Sequence, residues 1–238
     1  MKNYIPNAIT LGNLFLGCCA LVALFSDQLE LVLWLILAAG ILDYLDGAVA
    51  RLLDVRSKLG AELDSMADMV SFGVVPGAIY YMLLFRMEHP TGPLEMEWAA
   101  LPGFLVAVFS GLRLAKFNLD TRQTYNFLGL PTPASTMLAI GLLMIYIYDP
   151  VGFKYGIMTY SFLYTVILLV SILLVAEIPM FSLKIQHLSW KGNEIKIIFA
   201  LVALGFLLLA FSLAPFGIIV LYILINSILF LINRNPIQ

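Results

Sequence analysis

Apolar residues in this chain come in blocks rather than in alternation. Runs of roughly 17–25 residues, the length an α-helix needs to cross a bilayer, are separated by short polar breaks. The breaks fall at Ser26-Asp27, 51–60, 86–97, 120–131, Asp149-Pro150, 177–194 and Ala214-Pro215. A membrane β-barrel would show segments of about 10 residues alternating in polarity, and these runs do not alternate. The blocks predict helices at 8–25, 29–50, 61–85, 98–119, 132–149, 155–176, 195–212 and 215–232. The break at Ala214-Pro215 is tight, so the last two helices form a hairpin. The expectation is an all-α integral membrane protein with eight transmembrane helices and a single membrane domain over 1–238.

Composition sharpens this picture. The chain is 62% hydrophobic and 12% charged over 238 residues, against about 25% charged in soluble domains. A soluble fold is excluded, and no nucleic-acid partner is expected. Cys18 and Cys19 are adjacent in an apolar run and are expected to be small buried hydrophobes, with neither a disulfide framework nor a zinc site. His89 and His187 fall in polar connections and read as solvated loop residues. The first run, Ile9 to Phe25, resembles a signal peptide only superficially. Lys2 is a thin basic region, Asn13 interrupts the run, and no small-x-small cleavage site follows. It is kept as the first span.

Charge placement gives the orientation. With both termini cytoplasmic, the inner side carries Lys2, Arg51, Arg56, Lys58, Arg113, Lys116, Arg122, Lys184, Lys191, Lys196 and Arg234. Only Arg86 and Lys154 fall outside. That bias is what the positive-inside rule requires. It describes a multi-pass protein of the cytoplasmic (inner) membrane.

This orientation sets four acids at the cytoplasmic ends of the second and third helices. Asp43 and Asp46 are three apart, Asp64 and Asp68 four apart, so each pair shares a helix face. A short connection turns the chain back and lets the faces converge. A charge at bilayer depth costs on the order of 2.5–3.5 kcal/mol, less near the interface, and four clustered anions also repel. Two acids at a helix end can be plainly solvated, and acids in a first turn favour the helix dipole. Four at these gaps, with Gly47, Ala50 and Gly60 interleaved, point instead to a bound hard cation, Mg2+ or Mn2+. Four carboxylates suffice for two ions, an arrangement suited to phosphoryl chemistry. Gly47 and Ala50 leave room for a ligand, and the planar fork of Arg51 suits phosphate oxygens.

The pattern Asp-x2-Asp-Gly-x2-Ala-Arg-x8-Gly-x3-Asp-x3-Asp, filled by Asp43, Asp46, Gly47, Ala50, Arg51, Gly60, Asp64 and Asp68, resembles the signature of the CDP-alcohol phosphatidyltransferases. The resemblance implies a six-helix core, here 1–176, followed by a connection and C-terminal hairpin over 177–238. It implies that the four Asp carboxylates bind two divalent ions and that Asp68 is also the general base. Gly47, Ala50 and Gly60 would belong to the CDP-lipid site, Arg51 would contact phosphate, and Asn7 and Thr10 of "PNAITLGN" would sit near the nucleotide. Three further stretches, "SFGVVPG" (71–77), "GLRLAKFN" (111–118) and "FLGLPTPAS" (127–135), resemble the serine-using branch. The implied reaction joins CDP-diacylglycerol and L-serine, with loss of CMP, at a site facing the cytoplasm among membrane lipids. Lys116 and Thr132 are mild departures from that branch's pattern.

The acceptor side is less constrained. Asn13, Arg113, Lys116 and Asn118 are candidates for holding the acceptor or the lipid phosphate. Arg113 and Lys116 also fit simple positive-inside anchoring, and Asn118 fits a helix cap. Residues 71–77 either allow close helix packing or shape an acyl groove. Glycerol 3-phosphate or an inositol phosphate are alternative acceptors, although each would want a denser basic cluster. A divalent-cation transporter, the alternative from another class, would spread its acids through the bilayer midplane. The last two helices are a candidate homodimer surface.

Overall fold

A helix that is apolar on every side has no stripe to offer solvent and belongs in an interior. The segment from Val75 to Arg86 is such a helix, and each of its residues is buried. The computed structural model describes residues 4–55, 57–119, 127–149, 152–181 and 193–232. Its helices are α1 (Tyr4–Phe25), α2 (Leu29–Leu52), α3 (Lys58–Asp68), α4 (Val75–Glu88), α5 (Leu105–Leu119), α6 (Thr132–Tyr148), α7 (Lys154–Ile157), α8 (Tyr160–Val175), α9 (Glu194–Leu209) and α10 (Ala214–Ile232). A π-helical turn, Met69–Val74, joins α3 to α4 in one rod. A 3-10 turn, Leu101–Phe104, leads into α5.

The expected helices are present, with differences at their ends. The third begins at Lys58 and runs to Glu88. The region predicted as 155–176 divides into α7 and α8, because Thr159 is extended and caps α8 by accepting from the Phe162 N–H. Among the described residues, four helices are long and apolar enough to cross a membrane: Tyr4–Phe25, Leu29–Leu52, Lys58–Glu88 and Ala214–Ile232. α6 and α8 are apolar but shorter. Large hydrophobic side chains such as Phe15, Val22, Trp34, Ile41, Leu168, Ile172, Leu208 and Leu231 point outward. Water would not tolerate so apolar an exterior, and hydrocarbon does. The molecule is a membrane protein.

α1 packs along α2 and reaches α3 and the π turn. Its buried face is Pro6, Thr10, Asn13, Gly17, Ala20 and Leu24, spaced by three and four residues. These are mostly small or polar, as expected where lipid removes any apolar incentive to bury and backbones approach closely. A Cβ on Gly17 would collide with the Ser71 hydroxyl. Cys18 lies off this face and is exposed, with Cys19 half-buried. The expectation that both cysteines are buried is therefore corrected: residues 15, 18 and 22 share the outward side of α1.

The π turn has an identifiable cause. Pro76 has no N–H and cannot bond the Phe72 carbonyl in α-helical register. The Val75 N–H bonds the Val70 carbonyl instead, one residue further back. The Thr136 hydroxyl of α6 lies within hydrogen-bonding distance of both the Phe72 carbonyl, at 3.1 Å, and the Thr132 carbonyl of its own helix, at 2.9 Å, and the Ser71 hydroxyl donates to the Asn13 carbonyl at 3.2 Å. The stretch 71–77 thus serves close helix packing.

One short strand pairing, which the hydropathy pattern does not announce, ties two connections together. Phe127–Leu128 (β1) runs antiparallel to Pro179–Met180 (β2), with Phe127 opposite Met180. Gly129 follows at φ 76, donating to the Ile178 carbonyl at 3.0 Å. A Cβ there would lie 2.8 Å from the carbonyls of Ala176 and Leu174, so only glycine fits.

Charge is confined to the two ends of the rod. Residues 69–85 contain no charged side chain, so roughly 27 Å of helix separates Asp68 from Arg86 at 1.5 Å per residue. At the far end Arg86 is buried and paired with Asp27 at 2.9 Å. The His89 ring lies tilted against that of Phe85, with 4.7 Å between centroids, and faces Glu97 at 3.7 Å. The predicted inner basic residues Lys2, Arg56, Arg122, Lys184, Lys191 and Arg234, and also His187, lie outside the described residues.

Candidate active site

The end of the bundle opposite Arg86 is built by the turn between α2 and α3. Asp54 takes φ 51, a left-handed position that aspartate tolerates better than most residues. The Val55 N–H then closes on the Ala50 carbonyl at 3.0 Å, a Schellman-type ending for α2. Ser57 caps α3, accepting from the Gly60 N–H at 2.9 Å. The chain reverses within a few residues, so the acids near the end of α2 meet those on α3.

Carboxylate oxygens of Asp43, Asp64 and Asp68 lie within 4.8 Å of one another. Carboxylates this close repel one another when ionised. Asp68 Oδ1 is buried and has no partner. Such an orphaned oxygen in an all-oxygen, anionic donor set is what a hard divalent cation would complete, so these residues fit the expected metal. Asp46 stands slightly apart. It is 6% exposed, and the Thr10 hydroxyl lies within hydrogen-bonding distance of both its Oδ2 and the Pro6 carbonyl.

Beside the acids is a cavity of about 250 Å³. Pro6, Asn7 and Thr10 of α1 form one wall, and Asp46, Gly47 and Ala50 of α2 another. Val55, Ser57, Gly60, Ala61 and Asp64 complete it. Asn7, Thr10, Gly47, Ala50 and Gly60, separated in the sequence, are thus brought to one space. A Cβ on Gly60 would sit 3.1 Å from both Asn7 Oδ1 and Ser57 Oγ, so the bare glycine keeps the wall open. Arg51 is exposed at the rim, with Nη1 3.4 Å from where a Cβ on Gly47 would stand.

The four acceptor-side candidates separate. Asn13 is fully buried one turn beyond Thr10, and both polar atoms of its amide lack partners. Arg113 is 7% exposed and turned inward. Its Nη1 is 3.5 Å from Thr132 Oγ1, its guanidinium lies 5.9 Å from the Phe117 ring centroid, and its Nε has no partner. It lies within electrostatic reach of Asp68. A residue serving only as an anchor would face outward instead. Lys116 is exposed at the end of α5. The Asn118 amide donates to Ser65 Oγ at 2.9 Å, tying α5 to α3 between Asp64 and Asp68. Ser65, which meets Asn118, had no signal in the sequence beyond its neighbourhood, and Thr132, which meets Arg113, stood out there only as a mild departure from the serine-using pattern.

Fold and site define a helical membrane protein with a cation-competent carboxylate cluster and an adjoining cavity at one end of its bundle. The CDP-alcohol phosphatidyltransferase family profile matches residues 3–171, and the chain belongs to that family. It is 40% identical over 137 residues to the CDP-diacylglycerol–serine O-phosphatidyltransferase of Helicobacter pylori (strain J99), covering 57% of this chain and 55% of that protein. To the protein of the same name from Mycobacterium tuberculosis (strain H37Rv) it is 38% identical over 183 residues, 74% of this chain and 60% of that one. To that of Bacillus subtilis (strain 168) it is 34% identical over 161 residues, 68% and 86% respectively. The chain thus spans little more than half the length of the first two relatives.

Proposed function

We propose that the chain transfers a phosphatidyl group from CDP-diacylglycerol to the hydroxyl of L-serine, giving phosphatidylserine and CMP, as a phosphatidylserine synthase. The observation that carries this reading is the convergence of Asp43, Asp64 and Asp68 beside a cavity walled by Asn7, Thr10, Gly47, Ala50 and Gly60. The names borne by the relatives support the choice of serine.

In this reading Asp43, Asp46, Asp64 and Asp68 hold two Mg2+ or Mn2+ ions. Such ions, when bound, offset the charge of the carboxylates and of the diphosphate and stabilise the charge that grows during transfer. Gly47, Ala50 and Gly60 leave space for cytidine, with Asn7 and Thr10 on the facing wall and Arg51 at the phosphates. Arg113 meets an anionic group on the acceptor side, and its unpartnered Nε keeps a donor available. Asp68 accepts the proton of the serine hydroxyl as that oxygen attacks the phosphorus bearing diacylglycerol. The bond from this phosphorus to the bridging oxygen breaks, and CMP leaves with the electron pair. Holding the reacting groups in line and stabilising the growing negative charge, rather than covalent help from the protein, supply the acceleration.

The wider reading is of eight spans with both termini cytoplasmic, residues 1–176 as catalytic core and 177–238 as connection and hairpin, and the acids opening toward the cytoplasm. The absence of any Asp, Glu, Lys or Arg from α6, α8 and α10 supports a membrane enzyme over an ion path. The test is an alcohol panel with purified full-length protein, CDP-diacylglycerol and Mn2+ or Mg2+. Serine should release CMP and form a serine lipid. Release of CMP with glycerol 3-phosphate alone would overturn the assignment of acceptor.

A further inference from the structure

Tyr222 and Asn226 sit one turn apart on α10, which has no charged residue and lies beyond the family match at 3–171. Both are buried, Asn226 to 1% exposure. A buried amide in an apolar helix is costly unless it is bonded, and this one is bonded at both ends. Asn226 Oδ1 accepts from the Phe181 N–H at 2.8 Å, and its Nδ2 donates to the Tyr222 carbonyl at 2.8 Å. The Tyr222 hydroxyl donates to the Phe181 carbonyl at 3.0 Å. One face of α10 therefore grips both polar backbone groups of a single residue. The Phe181 ring is wedged edge-on against Tyr222 at 5.1 Å and Phe199 at 5.9 Å.

Phe181 directly follows β2, and β2 pairs with β1. From β1 the chain passes through Gly129 and Leu130, the latter donating to the Leu173 carbonyl at 2.8 Å. It then enters α6 at Thr132, whose hydroxyl is 3.5 Å from the Arg113 guanidinium. The bonded path from α10 to that guanidinium thus runs through the Phe181 backbone, the paired strands and Thr132.

We infer that Tyr222 and Asn226 are positioning residues for Arg113, through which the C-terminal helix sets the anion-binding side of the acceptor site. This rests on the reading of Arg113 given above. Full-length Tyr222→Phe and Asn226→Ala should each raise the KM for serine about fivefold to tenfold, the change one hydrogen bond is worth. The KM for CDP-diacylglycerol should stay within about twofold of the parent value. Phe199→Leu disturbs the same aromatic cluster without touching the bonds to Phe181. It should lower the melting temperature and move neither KM. In an Arg113→Ala background, Tyr222→Phe should add nothing further to the serine KM.

An unchanged serine KM in both variants would overturn the inference. So would a parallel rise of both KM values with loss of thermal stability, or full additivity with Arg113→Ala. If the alcohol panel shows a different acceptor, the serine assignment fails, while the KM for that other alcohol still decides whether α10 acts through Arg113.

Discussion

At the residue scale, the site depends on small side chains as much as on charged ones. Gly60→Ala places a methyl 3.1 Å from Asn7 Oδ1 and Ser57 Oγ, tighter than an ordinary contact, so the cavity wall must shift. The expected result is a several-fold higher KM for CDP-diacylglycerol with the acceptor KM unchanged, measured by varying each substrate in mixed micelles. A shift confined to the acceptor would contradict the assignment of this cavity to the CDP-lipid. The gaps between Asp43, Asp46, Asp64 and Asp68 were readable in the sequence because helical periodicity alone sets which of them share a face. That three would form the tight cluster while Asp46 turns to Thr10 was not readable, since it depends on how α1 crosses α2. The inward turn of Arg113 was equally hidden. Its spacing from Lys116 suits a basic helix end, and only the position of Thr132 shows which of the two is buried.

At the scale of elements, the π turn between α3 and α4 links packing to the site. It begins immediately after Asp68 and is held by Thr136 and Ser71. Thr136→Val leaves the Phe72 carbonyl, already abandoned by Pro76, without this donor. The variant should lose about 0.6 kcal/mol of stability and no more than about 1.7, the mean and maximum for hydrogen bonds between membrane helices. Detergent-titrated unfolding against the parent checks this, and an unchanged midpoint would show that the carbonyl finds another partner. Helix positions were legible because lipid demands long apolar runs. Helix faces were not, because in lipid the buried side need not be the more apolar one. The buried stripe of α1 is Pro, Thr, Asn, Gly and Ala with a single Leu at its end, while Phe15, Cys18 and Val22 face out. Expecting Cys18 inside applied a rule for water to a helix in hydrocarbon.

At the scale of the whole molecule, the charges mark two ends, and the proposed topology assigns a side to each. Leu59, near the acids, and Met96, in the connection before α5, are both exposed. In a background lacking Cys18 and Cys19, Leu59→Cys should react with a membrane-impermeant thiol reagent only when the cytoplasmic face is open, and Met96→Cys only from the opposite face. The reversed pattern would overturn the orientation argued from basic residues. The C-terminal hairpin was legible as two apolar runs and a tight turn, but its role was not. Phe181 is gripped through its backbone, which no side-chain pattern announces.

The proposed function places phosphatidyl transfer to serine at the carboxylate cluster, with Asp68 as the base. The most direct measurement compares serine-dependent CMP release and serine-lipid formation by the parent protein and by Asp68→Asn, each shown to be folded by its elution profile and melting temperature. Equal amounts of CMP and serine lipid are expected from the parent, and a loss of roughly 10²–10⁴-fold in the variant, the range for removing a general base. Turnover by folded Asp68→Asn at a rate near that of the parent would contradict it.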